Sequence, residues 1–108
     1  MPTKTGIYRV DKFSVPQAAK DEFLKKVRDT DQVLRRQPGF IRDTLLEQVA
    51  GPGQFNIVTI AEWENQQSID AARNVVVQAH AESGFNPQET MARLGIEADI
   101  ANYRRIQD

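Results

Sequence analysis

Residues 37–65, QPGFIRDTLLEQVAGPGQFNIVTIAEWEN, decide the fold. The stretch reads as a β-hairpin set between two helices. Its turn is Ala50-Gly51-Pro52-Gly53. Proline fixes φ and lacks an amide donor, and glycine tolerates positive φ, so this cluster ends one strand and reverses the chain. The flanking segments, Phe40–Val49 and Gln54–Trp63, are rich in β-branched and aromatic residues. On the second, Phe55, Ile57, Thr59, Ala61 and Trp63 share one face; Asn56, Val58, Ile60 and Glu62 share the other. Both faces are substantially apolar. A sheet with helices on one side and water on the other alternates more cleanly. A chain of 108 residues is too short to supply a second cover, so a partner subunit is the economical explanation. The competing explanation is propensity, since Val and Ile are common in any strand.

Upstream, Gly6–Val15 is expected to form the first strand. Its apolar residues Ile7, Tyr8, Val10, Phe13 and Val15 do not alternate cleanly. Either both faces are partly buried, or a bulge shifts the phase near Asp11-Lys12. A helix over Ala18–Gln37 follows, with a core stripe of Ala19, Phe23, Val27, Thr30 and Leu34. Lys20, Lys25, Lys26, Arg28, Asp29, Arg35 and Arg36 are expected to cover its outer side. Pro38-Gly39 stops it. Downstream of Trp63, Asn65 is a plausible N-cap for a helix over Gln66–Ala81. Its stripe is Ile69, Ala72, Val76 and either Ala79 or His80. A short helix starts with Asn86 as cap, Pro87 at the first helical position and Glu89 three after the cap, and stops at Gly95. Ala98–Ile106 reads as a last strand, with helix as the competitor because Ala, Arg and Asn do not favour strand.

The order β-α-β-β-α-(α)-β is the split βαβ, ferredoxin-like α+β pattern. It predicts a four-stranded antiparallel sheet in the order 4-1-3-2, with the helices on one face. The chain is expected to be one domain over residues 1–108, with residues 1–5 as a loose tail.

Composition narrows the functional classes. Fourteen basic and 15 acidic residues give a net charge of −1, which argues against a nucleic-acid or polybasic membrane surface. No cysteine is present, so disulfides, thiolate nucleophiles and Cys-based metal sites are excluded. A single histidine excludes a His-rich metal site. No apolar run approaches the ~18 residues of a membrane helix, and residues 1–10 lack the apolar stretch of a signal peptide. A cytoplasmic location is the expectation.

Four sequence features then converge. Lys12-Phe13-Ser14-Val15-Pro16 with the helix after it, Pro38-Gly39-Phe40 before the hairpin, and Trp63-Glu64 closing it together resemble the antibiotic biosynthesis monooxygenase (ABM) domain. The resemblance covers about Gly6 to Ala81. It implies a dimeric α+β barrel, with a ligand pocket in each subunit between sheet and helices. Better-known members oxidise quinols or polyphenols with O₂ and no bound cofactor; others degrade heme, and some are isomerases. Heme-degrading members use an Asn in the first strand, a second Trp on the second helix and a His near its end. Here those positions fall near Asp11, Ala72 and His80, and no second Trp exists, so heme degradation is not expected. Some oxygenase members carry an amide four residues before the hairpin Trp, where this chain has Thr59.

The resemblance makes His80 the candidate base. A cofactor-free oxygenase deprotonates a phenol or quinol, and imidazole suits that task near neutrality. The bland reading is a surface histidine in the last helical turn, favoured there by the helix dipole. Trp63 is either a ring for stacking on substrate or a wedge between helix and sheet. Phe23 and Val76 are core residues that become pocket walls if a cavity exists. Thr59 is a candidate substrate contact, and Tyr103 is either a donor to a ligand or part of a subunit interface. The expected partners are a second copy of the chain and a small aromatic or quinol-like ligand. No metal or cofactor is expected.

Overall fold

The computed structural model describes residues 6–106. The expected tail over residues 1–5 lies outside the described residues. The elements are β1 (Ile7–Ser14), a 3-10 turn (Gln17–Ala19), α1 (Lys20–Leu34), β2 (Phe40–Glu47), β3 (Ile57–Trp63), α2 (Gln66–Ser83), α3 (Pro87–Leu94) and β4 (Glu97–Arg104). The sheet is antiparallel throughout, in the order β2-β3-β1-β4. This is the α+β, ferredoxin-like split βαβ expected from the sequence, and the last segment is a strand.

The caps behave as their residue types dictate. The Asn65 side chain accepts from the Ser68 amide at 2.8 Å, and the Asn86 side chain accepts from the Glu89 amide at 3.1 Å. Gly84 and Gly95 end α2 and α3 in the left-handed conformation, at φ 73° and 72°. Boundaries differ where side chains intervene. β3 starts at Ile57, three residues later than expected. The Asn56 side chain instead clamps the Val15 backbone, accepting from its amide at 2.8 Å and donating to its carbonyl at 2.9 Å. α1 is shorter than expected, because a 3-10 turn precedes it and bends after Leu34 lead to Pro38.

β1 runs in unbroken register against both β3 and β4. Its uneven pattern therefore comes from partial burial of both faces, since Ile7 to Lys12 are all half-buried. The irregularity lies in β2 instead, between Phe40 and Arg42.

The core is in two parts. One holds Phe13, Val15, Ala19, Phe23, Ile57 and Ile96. The other holds Ala61, Trp63, Ile69 and Ala72. The register explains the division. The helix-facing residues of β1 are Ile7, Arg9, Asp11 and Phe13, apolar at both ends and charged in the middle. Asp43 of β2 is on the same face, opposite Ala61. A polar seam thus crosses the sheet beneath α1, and the apolar clusters sit on either side of it. The opposite face of the sheet, with Val10, Leu46, Val58, Ile60 and Ala101, carries no helix among the described residues.

Candidate active site

His80 lies in the last turn of α2, half-buried, in a groove between α1 and α2 with a volume of about 230 Å³. α1 contributes Lys26, Asp29, Thr30 and Val33, and α2 contributes Val76, Ala79 and Ser83. The stripe of α2 therefore takes in both Ala79 and His80. His80 Nε2 lies 3.3 Å from Thr30 Oγ1, and no other side chain bonds the imidazole among the described residues. Burial pushes the His80 pKa below its ordinary value, and the nearby Lys26 ammonium pushes the same way. Both effects favour the neutral ring.

Phe85 closes the end of the groove, and the helix terminus puts it there. Gly84 turns left-handed, the Phe85 amide donates to the His80 carbonyl at 2.9 Å, and the chain folds back over the last turn. This is a Schellman motif with its usual apolar contact. The Phe85 and His80 rings meet edge to face at 4.9 Å and 84°. Lys26 Nζ stands 4.8 Å from the centre of the Phe85 ring. The outer-side assignment of Lys26 and Asp29 is thus corrected. Both edge the groove, because α2 packs beside α1 and covers that flank. Phe85 was not foreseen as a site residue. The signal was present: an aromatic residue directly after a C-terminal glycine folds back on its own helix.

The remaining candidates do not gather around His80. Val76 alone shares its groove. Trp63 is 2% exposed, and its ring meets Phe40 edge to face at 5.3 Å. Phe23 is buried in the other core cluster, edge to face with Phe13 at 4.8 Å. Thr59 is half-buried in the helix-facing seam, opposite Asp11 and Leu45. Tyr103 stands on the far face of the sheet, beside Tyr8, with Lys12 Nζ 5.9 Å from its ring centre.

The seam is the second concentration of polar groups. Arg9 Nε donates to Asp11 Oδ1 at 3.0 Å, and Arg35 grips both carboxylate oxygens of Asp43, at 2.8 and 3.1 Å. Burial raises the Asp11 pKa against the opposing pull of Arg9. Asp31 of α1 is raised to about 6, chiefly by burial and then by the nearby Asp43 carboxylate. Asp31 was not singled out in the sequence, although a signal was present. Its spacing, eight after Phe23 and three before Leu34, puts it on the apolar stripe. Among the described residues, no group of three or more acidic or imidazole side chains could hold a metal ion.

A search of curated proteins finds no match. Among solved structures, a protein of Shewanella loihica PV-4 superposes with a TM-score of 0.76 at 17% identity, covering 99% of this chain and all of the other. SnoaB, a cofactor-independent oxygenase from Streptomyces nogalater, is 26% identical over 96% of both chains, with a TM-score of 0.68. The heme-degrader MhuD from Mycobacterium tuberculosis is 22% identical over 94% of this chain and 97% of its own, with a TM-score of 0.70. The sequence model of antibiotic biosynthesis monooxygenases matches residues 6–82, from β1 into the last turn of α2. The chain belongs to the antibiotic biosynthesis monooxygenase family.

Proposed function

We propose that this protein is a homodimeric oxygenase that oxidises a one-ring phenol or quinol with O₂, without a bound cofactor. The observation that carries the reading is His80: an imidazole beside Val76, Ala79 and Phe85 in a groove between two helices, with one ring nitrogen 3.3 Å from the Thr30 hydroxyl. Similarity to SnoaB supports an oxygenase within the family. The groove, about 230 Å³, is smaller than the ~300–1,000 Å³ of typical ligand pockets and matches a single aromatic ring.

With Nε2–H donating to the Thr30 hydroxyl, Nδ1 carries the free lone pair and accepts the phenolic proton. The phenolate gives one electron to O₂ more easily than the phenol does. Recombination of the resulting radicals forms the new C–O bond. Loss of water leaves a quinone, so one oxygen atom enters the product and the other leaves in water with the ring and phenolic hydrogens. Thr30 acts as a positioning residue for the base. Val76 and Phe85 wall the ring.

Oxygen uptake with a panel of one-ring phenols and hydroquinones tests the reading. Uptake is expected, and His80→Ala should slow it about 100-fold. The base works unprotonated and its pKa is lowered. Activity should therefore hold at pH 7 and fall only as the pH drops below the ordinary imidazole range. No uptake across the panel, or uptake indifferent to His80→Ala, would overturn it. A second reading, a non-oxidative ligand-binding or isomerase member of the fold, is favoured by the deep burial of Trp63 and Phe23. Their packing leaves the sheet-to-helix space to the polar seam. Binding of phenols without oxygen consumption would select that reading.

A further inference from the structure

Lys26 makes no ion pair among the described residues. Glu22, one turn earlier on α1, feels the Lys26 charge but pairs directly with Arg93 of α3. The Lys26 ammonium instead stands over the Phe85 ring, 4.8 Å from its centre, and the same ring touches His80 at 4.9 Å. Lys26 and His80 are therefore brought together across one aromatic side chain, at the rim of an otherwise largely apolar groove. Asp29 also edges the groove, but Lys26 is the charged side chain whose field reaches the imidazole. A cation placed this way lowers the cost of holding negative charge on a ligand oxygen near His80.

We propose that the groove holds its hydroxyaromatic ligand as the anion, with Lys26 as the side chain that carries the counter-charge and selects ionisable phenols over neutral rings of the same shape. The inference rests on the groove being the substrate site, as argued above. It adds a second group to the base. His80 takes the proton, and Lys26 keeps the phenolate bound after the proton has left. The cation–π contact with Phe85 holds the ammonium over the groove, while Glu22, which feels its charge, is paired directly with Arg93.

The test uses 4-nitrophenol, whose ionised form absorbs differently from the neutral form, and 4-nitroanisole, its uncharged counterpart. At pH 7 the wild-type protein should bind 4-nitrophenol about tenfold more tightly than 4-nitroanisole, and the bound phenol should ionise about one pH unit lower than the free one. Lys26→Met should abolish both differences, and Lys26→Arg should keep them. Val76→Phe, which fills the groove, should abolish binding of either compound and so locate the site. Thermal melts of each variant check that the fold persists. Binding that ignores charge, or a phenolate shift that survives in Lys26→Met, overturns the role of Lys26 and leaves the groove assignment intact. No binding of either compound to the wild-type protein, or binding untouched by Val76→Phe, overturns the groove assignment itself.

Discussion

At the scale of single residues, the family motif is a mechanical joint. Gly39 sits at φ 85°, a left-handed conformation that side chains disfavour. A Cβ at that position would collide with Oγ and Cβ of Ser68 in the first turn of α2. The Gly39 carbonyl accepts the Glu64 amide at 2.8 Å, and Phe40 lies edge-on to Trp63. Pro38-Gly39-Phe40 and Trp63-Glu64 thus bolt the start of β2 to the end of β3 and to α2. The joint sets the seat of α2. Gly39→Ala combines backbone strain with a steric clash and should destabilise the fold by about 2 kcal/mol. That corresponds to a drop in Tm of roughly 10 °C, measurable by calorimetry. A Tm within the error of wild type would refute the joint.

At the scale of elements, α1 docks with a half-buried carboxylate, Asp31. Asp31 has a folded pKa of about 6, above the ordinary aspartate value, so the folded state binds its proton more tightly than the unfolded chain does. Stability contributed by this group is full at low pH and declines as pH rises from about 4 to 6, where Asp31 ionises in the unfolded chain first. Above pH 6 the ionised group opposes folding. Asp31 is partly solvated, so screening reduces the penalty to about 1 kcal/mol. Asp31→Asn should therefore stabilise the protein at pH 7 by that amount and flatten its denaturation midpoint across pH 4–6. Urea titrations at several pH values would read this directly, and a variant less stable than wild type at pH 7 would contradict it.

The same element shows where sequence reading reaches and where it stops. Local rules identified α1 and its stripe, both asparagine caps, Pro87 and the glycine ends, because each depends on residues close in the chain. The strand order followed from the succession of elements alone. The polar seam did not, because Arg9, Asp11, Asp31 and Asp43 become neighbours only through strand register and helix docking. The groove did not for the same reason. Lys26 looks solvent-facing until α2 is laid beside α1, and Phe85 looks like a loop residue until Gly84 folds it back. Conversely, Trp63 and Phe23 were sensible pocket candidates by residue type, and the structure buries both in the core clusters, outside the lining of the groove.

At the scale of the whole molecule, the sheet has two unequal faces. The helix-covered face carries both core clusters, and the groove lies above it. The other face is uncovered and apolar at its centre, where Val10 pairs with Ile60 and Ala101, and Leu46 pairs with Val58. Leu46 is 47% and Tyr103 45% exposed. Near one end, Arg42 pairs with Glu62 at 3.2 Å and Arg105 donates to Tyr8 Oη at 3.2 Å, edging a concavity of about 360 Å³. An apolar centre with a charged rim suits a surface that packs against its own copy. Under the homodimer proposed above, Ile60→Lys places an unpaired charge in the centre of that contact. Size-exclusion chromatography with light scattering should give a dimeric mass for the wild type and a monomeric mass for Ile60→Lys, with native far-UV circular dichroism in both. A wild-type monomer at micromolar concentration would overturn the dimer. The lining of the groove comes from α1, α2 and Phe85, all on the other side of the sheet from Ile60. The monomeric variant should therefore bind 4-nitrophenol as the wild type does. Loss of binding in a folded monomer would instead mean that the second subunit helps to build the site.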